Sequence, residues 1–254
     1  MAKNVNAIAF YQEIHQALGE AGCPFCRLLN REANRKIEGV LREMVLDPDK
    51  WAEVNRSRGY CHQHTWMLAR TGGALGTAIM MQGIAKTLLR ILDAHEQAMA
   101  EKSGFKQLFS SLKMQRGTTA RLAEELAPQI PCPICTSLQK TEKHLAGTFV
   151  DHVTGQHTLL PRYQASDGLC LPHFRLAITR ASSRAKLKAL IEGQRAIWER
   201  LHGELAEFIR KNDHRFKHEP FGQERDAWLR SLETMAGAAP PRIEDKYLVN
   251  RKDL

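Results

Sequence analysis

The sequence has few of the features that mark a known class of enzyme. It contains no phosphate-binding glycine loop, no nucleophile elbow and no pair of carboxylates in fixed register. Gly72-Gly73 precedes a helical pattern but lacks the further glycines and the lysine of a P-loop. We therefore assign no catalytic residue and no organic cofactor site, and we expect a non-enzymatic protein.

Long apolar runs are also missing. The most apolar window, residues 72–92, is interrupted by Gln82, Lys86 and Arg90, so we expect no membrane-spanning helix. Residues 1–6 lack the apolar core of a secretory signal. These two absences predict a cytoplasmic protein, whose thiols would be held by a metal ion and not by disulfides.

The six cysteines, by contrast, all belong to one pattern that occurs twice. A C-x2-C pair is followed after 34 residues by a C-x2-H pair, and the whole set recurs 109 positions later. A proline follows the first cysteine of each set, and a glycine stands two positions before the third. The first set is Cys23, Cys26, Cys61 and His64, and the second set is Cys132, Cys135, Cys170 and His173.

Three thiolates and one imidazole, arriving as two close pairs, match the ligands of a tetrahedral zinc ion. We predict that each set binds its own structural zinc ion, giving two per chain. Disulfides explain the pattern poorly, because each set has an odd number of cysteines and no disulfide requires a recurring histidine. His62 could compete with His64, but its counterpart in the second set is Leu171, whereas the counterpart of His64 is His173.

Two alternatives remain open from the sequence. The same ligands could hold an iron–sulfur cluster, or the C-x2-C thiols could exchange with disulfides, and either would make this a redox protein. A catalytic zinc ion is less favoured, because four protein ligands would fill the position that catalytic sites leave open to water.

Apolar periodicity predicts an all-α protein in which each ligand pair lies at the start of a helix. Pro24 suits the first position of a helix, and Asp47-Pro48 would end that helix. Free amides and the positive end of the helix dipole would there stabilise thiolates. Residues 74–102 carry the apolar stripe of a long packed helix. The other predicted helices cover residues 5–19, 24–45, 51–55, 61–69, 120–126, 185–211 and 220–236, with two more opening at the Cys132 and Cys170 pairs.

The repeated pattern also predicts the domain organisation. We expect a first metal-binding helical repeat at residues 1–112, a second at residues 113–218, and a C-terminal helix with a charged tail at residues 219–254. Each repeat would be an all-α module tied together by its own three-cysteine, one-histidine site.

The net charge of +9 raises the question of nucleic-acid binding. We favour a solvated helix face over a phosphate-binding strip, because the basic residues are spread along the chain. The expected partner is a macromolecule, either protein or nucleic acid, and the oligomeric state is open. The local basic positions are Arg175, Arg180, Arg184, Lys186, Lys188, Arg210, Lys211, Arg215 and Lys217.

Three further histidines lie in or near an irregular stretch predicted for residues 147–157. His144, His152 and His157, with Asp151, could form another metal or proton-handling site. We favour exposed histidines on a loop, because no spacing among them specifies a coordination geometry.

The first set also resembles a known family. The run C-P-x-C-x-L-L at residues 23–29, the pair Asp47-Pro48, and the run S-x-G-[FY]-C-x-x-H-x-W at residues 57–66 resemble an uncharacterised prokaryotic family of unknown function. The second set keeps the ligand pairs and Gly168 but has neither the Asp-Pro stop nor the tryptophan. The resemblance implies metal binding and no known activity.

Overall fold

The computed structural model describes residues 2–42, 47–101 and 111–239 of the 254-residue chain, including the side chains of residues 10–42, 47–100 and 119–239. Over these ranges the chain forms helices and no strand, so the all-α prediction is confirmed.

Five helices precede the gap at residues 102–110. They are α1 (Ala2–Ala17), α2 (Pro24–Arg42), α3 (Pro48–Arg56), α4 (His62–Trp66) and α5 (Ala74–Glu101). Asp47 caps α3, since its Oδ1 accepts hydrogen bonds from the backbone N–H groups of Asp49 at 3.0 Å and Lys50 at 3.3 Å. The predicted end of α2, at residue 45, lies outside the described residues.

Six helices follow in the rest of the described chain. They are α6 (Ser111–Leu126), α7 (Pro133–Asp151), α8 (Leu160–Ala165), α9 (Leu171–Arg180), α10 (Arg184–Lys211) and α11 (Ala227–Ala236), with short 3-10 helices at His214–Phe216 and Gln223–Asp226. Ser183 caps α10 by accepting a hydrogen bond from Lys186 N–H at 3.2 Å. The short α8 was not predicted.

Three local predictions are wrong. The helix predicted for residues 120–126 starts earlier, since α6 begins at Ser111. The irregular stretch does not begin at residue 147, because α7 continues to Asp151. Phe149 and Val150 are buried there, and burying them on a regular helix outweighs the helix-breaking tendency of Gly147. The last predicted helix also starts later than residue 220, since α11 begins at Ala227 after a 3-10 turn.

Helix α5 is less buried than its apolar stripe predicts. Met80 and Ile84 are buried, but Leu75, Leu89 and Met99 have exposed fractions of 74%, 58% and 53%. Among the described residues, the segment Ala74–Ala100 is long and apolar enough to cross a membrane, and 17% of its most apolar window is buried. The core helices of soluble proteins can pass the same test of length and composition. The absence of a membrane-spanning helix therefore stays a prediction.

The chain divides into two compact units. Over the described residues, the first unit contains Met1–Glu32 and Leu138–Pro240, and the second contains Ala33–Ser137. The first unit has a core in which the ring of Phe149 packs edge to face on Phe25 at 5.7 Å and on Tyr163 at 5.0 Å. Buried apolar side chains from α1, α2, α7, α8, α9 and α10 contribute to this core.

These units do not coincide with the predicted segments 1–112, 113–218 and 219–254. Helix α2 begins in the first unit and ends in the second, and α7 begins in the second and ends in the first. Each of these helices has 19 residues and is therefore about 28 Å long. The predicted boundaries follow the repeat in the sequence, whereas each compact unit contains residues from both repeats.

Candidate metal centres

Four helix N-termini supply all the predicted ligands. Cys23 and Cys132 directly precede the prolines that open α2 and α7. Cys61 and Cys170 are the N-caps of α4 and α9, with extended backbone conformations. Neither N-cap sulfur makes a capping hydrogen bond with the backbone of its own helix, so both sulfurs can face a metal ion. The prediction that the ligand pairs lie at helix starts is confirmed.

The glycine two positions before each N-cap cysteine has a structural role. Gly59 and Gly168 have φ angles of 91° and 76°, a region that L side chains rarely adopt. A Cβ atom at Gly168 would also lie 2.7 Å from Ile197 Cδ1. Glycine therefore lets the chain turn sharply before each cysteine enters its helix.

The eight side chains form two clusters. In each cluster, one sulfur or ring nitrogen from every residue lies within 4.8 Å of the others. The first cluster is Cys23, Cys26, Cys170 and His173, and the second cluster is Cys61, His64, Cys132 and Cys135. All four residues of the first cluster lie in the first unit, and all four of the second cluster lie in the second unit.

This grouping corrects the prediction that each repeat builds its own site. Each cluster takes its C-x2-C pair from one repeat and its C-x2-H pair from the other. The reason lies in α2 and α7, which carry the chain into the other unit before it reaches the next ligand pair. Cys26 is thus separated from Cys61 and joined to Cys170.

The distances in both clusters fit a single tetrahedral ion. In the first cluster, His173 Nδ1 lies 3.0 Å from Cys170 Sγ and 3.4 Å from the sulfurs of Cys23 and Cys26, and the Cys26 and Cys170 sulfurs are 3.7 Å apart. A zinc tetrahedron separates two sulfurs by ~3.8 Å and a sulfur from a nitrogen by ~3.5 Å.

The second cluster has the same dimensions. His64 Nδ1 lies 3.2, 3.4 and 3.6 Å from the sulfurs of Cys61, Cys135 and Cys132, and the Cys61 and Cys135 sulfurs are 3.6 Å apart. A disulfide would require about 2.05 Å between sulfurs, and all six cysteines are free. Both clusters could hold a metal ion through three sulfurs and the Nδ1 of a histidine.

The first cluster has polar groups around it that the ligand pattern does not reveal. Glu142 Oε1 lies 3.2 Å from His173 Nε2, the ring nitrogen that faces away from the sulfurs. A carboxylate there holds the ring in the tautomer that leaves Nδ1 free for a metal. The Ala238 N–H group donates a hydrogen bond to Cys26 Sγ at 3.4 Å.

Burial changes the proton affinity of the ligands. Burial, reinforced by the neighbouring thiols, raises the pKa of the Cys23 thiol. Burial lowers the pKa of His173, but hydrogen bonds with Cys170 and Cys26 outweigh it and raise that pKa to about 11. In the second cluster, burial raises the pKa of Cys135 to about 12 and lowers that of His64. A metal ion must displace the protons held by Cys23, Cys135 and His173, so acid opposes loading.

The other histidines singled out from the sequence are not part of a cluster in the described chain. His62 is exposed, with its ring centroid 6.5 Å from that of Trp66. His152 Nδ1 donates a hydrogen bond to the backbone oxygen of Thr148 in α7 at 2.8 Å, and its ring centroid lies 4.8 Å from that of Tyr11. Asp151 pairs with Lys186 at 2.7 Å. Within the described residues, these side chains form no third metal site.

Comparison with known proteins agrees with the resemblance of the motifs. The model of a family of unknown function, DUF6062, matches residues 1–242, so the chain belongs to that family. No curated protein and no solved structure matches the chain significantly.

Proposed function

We propose that this member of the DUF6062 family is a non-enzymatic helical scaffold, that two zinc ions hold its helices together, and that it binds a macromolecular partner. The observation that carries the proposal is the geometry of the two clusters. Each joins the N-termini of two helices through four donors at the distances of one tetrahedral ion.

The cluster dimensions favour a single ion over an iron–sulfur cluster. Iron–sulfur clusters contain several iron atoms, and the protein ligands are distributed among them. Here all four ligand atoms of a cluster lie within 4.8 Å of one another. Soft thiolates in a tetrahedral S₃N set suit zinc.

The same geometry favours a structural role. Four protein donors complete a tetrahedral shell and leave no position for a substrate or a catalytic water. Once bound to metal, none of the six thiols would be free for disulfide exchange. Thiolates held in this way suit a reducing compartment, which supports the proposed cytoplasmic location.

The charges favour a protein partner over nucleic acid. Five of the nine basic side chains that could form a phosphate-binding strip are paired with carboxylates of the same chain, which reduces their attraction for phosphates. The pairs are Lys186–Asp151, Lys188–Glu192, Arg210–Glu207, Lys211–Glu224 and Arg215–Asp213.

Elemental analysis with a visible spectrum tests the metal proposal. The purified full-length chain should contain about two zinc ions and be colourless, because zinc has a filled d shell. Replacing zinc by cobalt should produce the visible bands of a tetrahedral thiolate site. Iron with inorganic sulfide and a brown absorbance would instead establish the redox alternative.

A salt titration tests the class of partner. If residues 175–217 bound DNA, the affinity would fall with salt at a log–log slope of roughly −0.9 per phosphate contact, and changing Arg180, Arg184 and Lys188 to glutamate would reduce the slope. We expect no such binding at low salt. Steep salt-dependent binding that these substitutions remove would overturn the choice of a protein partner.

A further inference from the structure

Helix α5 presents an exposed apolar stripe with the spacing of a coiled coil. Its members alternate three and four residues apart, which places them along one side of a helix in a heptad pattern. All of them are exposed. The stripe consists of Leu75, Ala78, Ala85, Leu89, Leu92 and Met99, with Gln82 and Glu96 at its two polar positions.

Two charged side chains beside this stripe have no ion-pair partner among the described residues. Lys86 and Asp93 are exposed on the same flank, one heptad apart. No ion pair within the described residues includes either of them. The basic side chains of α10 differ, because several of them are paired with carboxylates of their own chain.

We propose that α5 is a dimerisation helix that packs antiparallel against α5 of a second copy of this chain. The register that sets Leu89 of one copy against Leu92 of the other also sets Lys86 beside Asp93. A two-fold axis repeats each contact, so one register forms two leucine layers and two ion pairs.

Other pairs follow from this register, which also sets the polar Gln82 beside Met99 at each end of the contact. Ile79 falls beside Ala100 of the other copy, so a large side chain faces a small one. Glu96 falls beside Ala85, where a small residue leaves its carboxylate a path to water. Polar residues at such core positions favour one register at some cost in stability.

The same charges argue against a lipid environment for this face. Lys86, Arg90 and Asp93 lie in the middle of the helix, where a spanning segment would bury them in hydrocarbon. Charged side chains of both signs are instead suited to contact with a second protein surface on which the signs are reversed.

The length of the contact sets its strength. In this register the stripe positions from Gln82 to Met99 of the two copies face each other, over a length of about 26 Å at 1.5 Å per residue. A contact between two single helices of this length lies at the small end of specific interfaces, so we expect a dissociation constant on the order of micromolar.

Sedimentation velocity of the metal-loaded full chain over a range of concentrations tests the proposal. The chain should shift from monomer to dimer, and Leu89→Glu with Leu92→Glu should leave it monomeric at every concentration. Leu229→Glu with Leu232→Glu on α11 is the matched control, because those leucines are exposed to 47% and 58%. The control should dimerise like the unchanged chain, and circular dichroism should show both variants folded.

A charge exchange tests the register itself. Lys86→Glu alone and Asp93→Lys alone each place like charges together twice, so each variant should dimerise at least about tenfold more weakly. An equal mixture of the two variants restores both ion pairs between unlike copies and should dimerise as strongly as the unchanged chain.

Three results would overturn the proposal. The first is a chain that is monomeric at all concentrations tested. The second is a dimer that the leucine substitutions leave intact, or for which the mixture of charge variants gives no recovery. The third is a monomer that binds neutral phosphatidylcholine vesicles through Leu89 and Leu92, which would make α5 a lipid-facing helix.

Discussion

The two clusters use the same ligand types but differ in their surroundings. In the first cluster Cys23, Cys170 and His173 are buried, whereas in the second His64 is buried and the three cysteines are partly exposed. Glu142 lies against the ligand histidine of the first cluster, and the position 109 residues before it is Ala33, which has no carboxylate. The repeated pattern thus preserves the metal ligands but not the groups that orient them.

This difference predicts unequal metal sites. A carboxylate that orients a histidine, an N–H group that bonds a thiolate, and burial from water all slow the loss of a metal ion. The described residues give the first cluster all three. We therefore expect the first cluster to hold its metal more tightly, and the following experiments test the comparison from the largest expected effect to the smallest.

Paired cysteine substitutions test the grouping itself. Cys61→Ser with Cys132→Ser removes two ligands from the second cluster, so the protein should keep one metal ion per chain. Cys23→Ser with Cys61→Ser damages both clusters and should leave none. Each lost ion should cost several kcal/mol, because apparent zinc-binding energies in small fingers are about 10 kcal/mol or more. Elemental analysis and thermal unfolding provide the measurements, and the reverse metal counts would restore the grouping within repeats.

Metal removal by a chelator tests the unequal sites. Cys135→Ser should leave only the first cluster loaded, and Cys26→Ser only the second. We expect the second cluster to release its zinc at least about tenfold faster, because its sulfurs are more exposed and no carboxylate among the described residues pairs with its histidine. A colorimetric zinc indicator follows the release. Equal rates would show that the surroundings do not control retention.

Glu142→Gln tests one part of the difference. Replacing a carboxylate that orients a ligand histidine should weaken metal binding by the first cluster about 10–100-fold and leave the second unchanged. Competition with a chelator of known affinity measures the change. Glu125→Gln is the matched control, since Glu125 Oε2 lies 3.1 Å from Nε2 of His95, which is not a ligand. An equal effect of both variants would contradict an orienting role for Glu142.

Gly237→Ala tests the segment that contacts Cys26. Gly237 has a φ of 93° and a ψ of 170°, and a Cβ there would lie 3.4 Å from Cys26 Sγ. We expect a destabilisation of about 1–3 kcal/mol, because only glycine readily adopts this backbone conformation. Gly203→Ala, in α10 with nothing within 4 Å of its Cβ, should instead be neutral or slightly stabilising. Chemical denaturation compares them, and equal effects would exclude a special role for Gly237.

His62→Ala should have the smallest effect. His62 is exposed and its ring is not among the ligand atoms of the second cluster, so the change in stability should be below about 0.5 kcal/mol. His64→Ala, two residues away, should lose the metal ion of that cluster. Loss of metal from the His62 variant would reverse this choice between the two histidines.

Local chemistry made much of the fold predictable. Pro24, Asp47-Pro48 and the cysteine spacing act within one or two helical turns, and the helices they predict begin close to the expected residues. The exposure of α5 was not predictable in this way. An apolar stripe shows which face of a helix can be buried, but it does not show whether another part of the chain covers that face. Glu142 was equally hidden, since it lies 31 residues from His173.

The sequence by itself determined which eight residues could bind metal and that they lie at helix N-termini. Proline at the first helical position, a glycine before the N-cap and the two-residue spacing are short-range constraints, and they operate wherever the segment ends up. Only the tertiary structure decided which C-x2-C pair meets which C-x2-H pair. Both groupings contain the same ligands at the same spacings, so local energies do not distinguish them. The choice is made by α2 and α7, which carry the chain from one unit to the other between successive ligand pairs.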